Sequence, residues 1–217
     1  MKEVTDLKVA RFFALIFAIL GVVLMLGTVF LAFTSLDKPV GIMQNPDGAL
    51  LCSEQLQECL NGGDLAGAGK LMYGQPSFGT DAAPQDGYSA MLWNAYVEGI
   101  SFTYTGNLYL LDSELARDGV LTVLNVPELM ESVQTRARAL LDQKVASTED
   151  SAVIYDEAGN LRSEVADQIL QEAVRQALEQ DVSYVSRNVT VRVIRRNDGW
   201  WILPDQTFQK TLSGLTA

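Results

Sequence analysis

The side chains that could do chemistry in this chain are acids, phenols and thiols, because it contains no histidine. Without imidazole there is no Ser-His-Asp or Cys-His nucleophile, no Cys2His2 zinc site and no side chain that titrates unperturbed near neutral pH. Acid–base work would fall to a carboxylate beside a phenol, and two such pairs are close in sequence, Tyr104 with Asp112 and Tyr96 with Glu98. They lie among the aromatics Trp93, Tyr96, Phe102 and Tyr104, with Trp200 and Trp201 near the C-terminal end. These six form the candidate pocket lining, since ligand sites are usually concave, aromatic-rich and sparsely polar. Core packing would use the same residues, and the adjacent Trp200 and Trp201 must point to opposite faces of a strand. No residue is assigned as catalytic.

Metal and cofactor motifs fail on inspection. Asp156, Ala158 and Asn160 occupy the first odd positions of a calcium loop, but Ala158 offers no side-chain oxygen and Leu161 stands where glycine is needed. No glycine-rich phosphate loop follows a strand, so no cofactor is expected. Cys52 and Cys59 fall on one predicted helix. Seven residues there span ~10.5 Å, beyond the ~7 Å that a disulfide bridges. Two packed thiols are expected, with intermolecular pairing as the alternative.

Charge narrows the partners. The chain carries 16 basic and 27 acidic residues, a net of −11, which argues against nucleic acid. Residues 1–38 hold four basic and three acidic groups, leaving twelve basic and twenty-four acidic groups in residues 39–217. The acidic part suits soluble exposure and basic partners.

The elements that must position these residues begin with an uncharged run from Phe12 to Phe33. At ~1.5 Å per residue it reaches about 33 Å, enough for a ~30 Å hydrocarbon core, so a transmembrane helix is predicted. Lys2, Lys8 and Arg11 precede it, which places the N-terminus in the cytoplasm and the remainder outside the cell membrane. The organisation read from this is a tail at 1–11, the span at 12–33, a turn-rich tether at 34–46 and an extracytoplasmic domain at 47–217.

Within that domain the hydrophobic period predicts helices over 48–60, from a cap at Asp64, and from a cap at Ser89. An extended run over 101–111 then pairs with Val120–Leu124, with Asp118-Gly119 helping to turn the chain between them. Pro127 opens a helix striped by Leu129, Val133, Ala137, Leu140 and Leu141. Ser163 caps another, striped by Val165, Ile169, Ala173, Val174, Ala177 and Leu178. Val189–Ile194 and Trp200–Leu203 form a second strand pair about Asn197-Asp198-Gly199, and Pro204 starts a last helix. The fold class is α+β, with helices packed on an antiparallel sheet.

The C-terminal run Asp198-Gly199-Trp200-Trp201-Ile202-Leu203-Pro204-Asp205, the turn Tyr155–Asn160 and the order of elements resemble NTF2-like (cystatin-like roll) extracytoplasmic domains. They also resemble a group of membrane-anchored proteins from Gram-positive gut bacteria. The resemblance implies a curved-sheet roll with a cone-shaped cavity and transfers no catalytic residue. Two helices between the strand pairs go beyond a minimal domain of that kind. The function expected is a membrane-anchored, non-catalytic binding or interaction domain, contacting a protein partner or small ligand outside the cell, with homodimerisation as a further state. The alternatives are a small-molecule enzyme using an Asp/Glu–Tyr pair in the cavity, or a structural subunit of a membrane assembly.

Overall fold

The computed structural model describes residues 46–78, 80–111, 114–196 and 199–214. In chain order these form α1 (Pro46–Asn61), α2 (Leu65–Leu71), α3 (Gly87–Glu98), β1 (Ser101–Tyr104), β2 (Tyr109–Leu111), β3 (Glu114–Leu124), α4 (Val126–Ser147), α5 (Ser163–Gln180), β4 (Tyr184–Arg196), β5 (Gly199–Pro204) and α6 (Gln206–Leu212). The class is α+β, as the mixed periodicity predicts. The transmembrane helix in the predicted fold is corrected: no helix among the described residues is long and apolar enough to cross a membrane. The run Phe12–Phe33, the tail and the tether up to residue 45 lie outside the described residues.

The described chain divides into two compact units. One contains Pro84–Asn94 and Val126–Ser183. Its centre is the helical hairpin of α4 and α5. Leu129, Val133, Ala137 and Leu141 recur every fourth residue on α4, and all are buried. They meet a seam on α5 formed by Val165, Ala166, Ile169, Leu170, Ala173, Val174 and Ala177. Each larger aliphatic side chain so buried contributes about 1.5–3 kcal/mol. Helix α5 starts at Ser163 itself; Arg162 takes the cap position, with no side-chain cap bond.

The other unit holds residues 46–83, 95–125 and 184–214. Its sheet is antiparallel in the order β1-β3-β4-β5, and β2 pairs with β3 beyond the end of β1. Helices α1 and α6 pack on the sheet, burying Leu56, Leu60 and Phe208 with Phe102, Leu121, Val191 and Ile202. The local chemistry of the ends follows the sequence. Pro46 opens α1, where its missing N–H costs nothing. Gly63 takes φ +70 just after α1, which lets Asp64 N–H reach Cys59 O at 2.8 Å. The Asp64 carboxylate then caps α2 by accepting from Gly67 N–H at 2.7 Å.

Further boundaries differ from expectation. Asp118-Gly119 is no turn but the middle of β3, where Gly119 sits opposite Tyr104 on one side and Val189 on the other. The glycine is required by close approach, because a Cβ there would lie 2.6 Å from Phe102 Cε2. Helix α3 starts at Gly87, two residues before Ser89. Pro204 ends β5, and Asp205 caps α6 by accepting from Phe208 N–H at 2.6 Å.

Candidate functional site

In the sheet unit, α1 brings side chains to two edges of the sheet. Asn61, its last residue, reaches the outer edge of β1. Its Oδ1 accepts from Phe102 N–H at 2.7 Å, and its Nδ2 donates to Phe102 O at 3.0 Å. That is the pair of bonds a neighbouring strand residue would make. One turn earlier, Gln57 Oε1 accepts from Tyr104 N–H at 3.2 Å. Amide side chains thus occupy both main-chain groups of Phe102 and the N–H of Tyr104, groups that a new strand would use. Strand β2, along the same edge, is different: among the described residues it pairs with β3 and no other strand. Its Leu110 is 59 % exposed, and Tyr109 is exposed too.

Earlier still on α1, Ser53 lies wholly buried beneath the sheet. Its hydroxyl donates to Leu50 O at 2.7 Å and accepts from Arg117 Nη1 at 3.2 Å. The Arg117 guanidinium also donates to Gly106 O at 2.9 Å and stacks 4.2 Å above the Tyr104 ring. Burial pushes the Tyr104 phenol well above its ordinary range, and the nearby Arg117 charge offsets only part of that. The phenol is therefore held protonated, which suits packing rather than proton abstraction. Cys52 packs alongside, its Sγ 3.5 Å from Trp200 O, and burial pushes its thiol up to about 11.

The six candidate aromatics are placed as follows. Trp93 belongs to the helical unit and is half-buried; the other five belong to the sheet unit. Phe102 is fully buried, edge-on to Tyr104 with ring centres 4.6 Å apart and to Phe208 at 5.8 Å. Tyr104 is the bridge from this cluster to Arg117. Trp200 lies against the start of α1, so closely that a Cβ at Gly48 would fall 2.5 Å from its Nε1. Trp201, on the opposite face, meets the Tyr73 ring edge-on at 6.3 Å, and Arg196 lies 5.2 Å from that tyrosine ring. Tyr96 donates its hydroxyl to Leu212 O, and burial raises its pKa. Of the two acid–phenol pairs, Tyr104–Asp112 reaches outside the described residues; in the other, Glu98 is exposed while Tyr96 is committed to Leu212.

The helical unit carries an open groove of about 720 Å³ along α4 and the residues after α5, lined by Glu128, Ser132, Arg136, Asp181 and Ser183 among others. Arg136 and Asp181 are engaged with one another. Arg136 donates to Asp181 Oδ2 through Nε at 2.8 Å and Nη2 at 2.6 Å, and to Gln180 Oε1 at 3.1 Å. Ser132 donates to the same Asp181 oxygen, and Ser183 to Glu128. The Ser132 hydroxyl, then Arg136, hold the Asp181 carboxyl below its usual range. The arrangement pins the end of α5 to α4.

The Asp156 loop is likewise self-contained: its carboxylate accepts from Asn160 N–H at 2.7 Å and from Asn160 Nδ2 at 3.2 Å. Among the described residues no group of three or more ligating side chains is placed to hold a metal ion. Sequence reasoning missed Arg117, Ser53, Asn61 and Gln57. The available signal was Arg117 itself, a cation next to the apolar pair Leu115-Ala116, obscured because the following Asp118-Gly119 reads as a turn. No protein family, no curated protein and no solved structure matches this chain.

Proposed function

We propose that the sheet unit is a non-catalytic interaction domain that takes an extended segment of a protein partner along the open edge at β2. The observation that carries this is the contrast along one sheet edge. Asn61 and Gln57 occupy the outward groups of β1, whereas β2 is paired on one side and presents Leu110 at 59 % exposure. Strand addition supplies main-chain bonds for affinity and side-chain pockets for choice. The excess of acidic groups in residues 39–217 supports a partner segment with basic residues. The interior supports the same reading, since Phe102, Trp200 and Tyr104 are spent on packing against Phe208, α1 and Arg117. We keep the NTF2-like architecture as part of this reading, on the run Asp198–Asp205 and the order of elements in the sequence.

The test is the size of the native assembly. The chain extracted from its own cells migrates above its 23.7 kDa mass, and Leu110→Lys returns it to the monomer position with the fold intact by circular dichroism. Wild-type chain that already migrates as a monomer contradicts the proposal. The same reading sets the domain outside the cytoplasm, supported by the basic residues Lys2, Lys8 and Arg11 ahead of the uncharged run and the acid-rich remainder after it.

A further inference from the structure

Asn61 is followed by Gly62, the one Asn-Gly dipeptide in the chain. This pairing is chemically labile, because glycine puts no side chain in the way of its own backbone nitrogen and lets the backbone reach the conformation needed for attack on the asparagine amide. The balanced reaction is intramolecular. Gly62 N gives up its proton and bonds to Asn61 Cγ, the Cγ–Nδ2 bond breaks, and ammonia leaves with that proton. Water then opens the five-membered imide at either carbonyl, giving an aspartyl or isoaspartyl linkage. One water is consumed, one ammonia is released, and nothing is oxidised or reduced.

The fold opposes the ring-closing attack at both of its partners. Gly62 N–H donates to Glu58 O at 2.9 Å, continuing the helical ladder, so the nucleophile is bonded and turned away. Both ends of the Asn61 amide are held by Phe102, at 2.7 and 3.0 Å, which aims Cγ at the strand. Solvent is not what is lacking, because Asn61 and Gly62 are both exposed.

We infer that Asn61-Gly62 is a self-modification site restrained by the fold, and that its conversion releases α1 from the edge of β1. An acid at position 61 has no N–H to give to Phe102 O, and its carboxylate faces that carbonyl with like charge. The isoaspartyl form also lengthens the main chain and swings the carboxylate off the strand. Before conversion, fraying at the end of α1 is what releases Gly62 N from Glu58 O, so that opening controls the rate. The inference stands apart from the proposed function, since it needs no partner.

The full-length chain is incubated at mildly alkaline pH, folded in one sample and in urea in the other, and the peptide spanning Asn61 is followed by mass spectrometry for the amide-to-acid change and isoaspartate. Conversion at Asn61 is expected to be at least about tenfold faster in urea. In urea, Gly62→Ala is expected to suppress it, a comparison that does not depend on folding. Equal rates in the two samples, or an unfolded wild type as slow as Gly62→Ala, overturn the inference. Release of the edge is read separately by hydrogen exchange of residues 101–105 in the aged, refolded chain. Exchange about threefold faster or more than in fresh chain is expected. Unchanged exchange in fully converted chain overturns the coupling to β1.

Discussion

At the scale of single residues, the structure turns reactive types into packing elements. Cys52 is buried with its thiol raised to about 11, and Cys59 is raised as well, by burial first and then by Asp64 and Glu58. Both are free cysteines. At pH 8 the folded chain should therefore react slowly with a thiol reagent, react fully once unfolded, and run as a monomer on a non-reducing denaturing gel. A dimer band lost in Cys52→Ser or Cys59→Ser would go against this. Gly119 makes a second prediction. Gly119→Ala drives a methyl into the Phe102 ring and should destabilise the sheet unit by about 1–3 kcal/mol in urea titration, a cost that Phe102→Leu in the same chain should reduce. That position also shows why reading failed there. Asp-Gly is a turn signal because glycine tolerates positive φ, yet here glycine is selected by the ring above it, a contact with Phe102 that no local pattern contains.

At the scale of elements, the two long helices were legible and the sheet edge was not. The stripes on α4 and α5 are periodic at 3.6 residues, so Leu129, Val133 and Ala137 could be assigned to one face before any partner was known. The closure of β1 depends on Asn61 and Gln57, which lie 41 and 47 positions from the groups they satisfy, and nothing local marks them. The same limit hid the pairing of Arg136 with Asp181 across the helical hairpin. That pair makes a pH prediction. The folded pKa of Asp181 is lowered, so its contribution is fully present above the unfolded value of about 4 and is lost as pH falls through the lower folded value. Melting temperature measured downward from pH 5 should therefore fall less steeply in Asp181→Asn than in wild type. Equal slopes would show that the carboxylate contributes nothing to the hairpin.

At the scale of the whole molecule, an acid-rich, histidine-free chain carries a sheet whose edge, among the described residues, is closed by side-chain amides along β1 and left without a further strand along β2. Location and partner are separable claims. Protease added to intact cells should remove the residues beyond about position 46, and complete protection would contradict the placement outside the cytoplasm. Occupation of the β2 edge is read by site-specific photocrosslinking in the native cells from position 110, with position 157 in an exposed turn as the comparison. A discrete adduct is expected from position 110, formed through strand β2, that is absent from position 157 and survives Glu157→Ala. No adduct from position 110, or equal adducts from both positions, would contradict it.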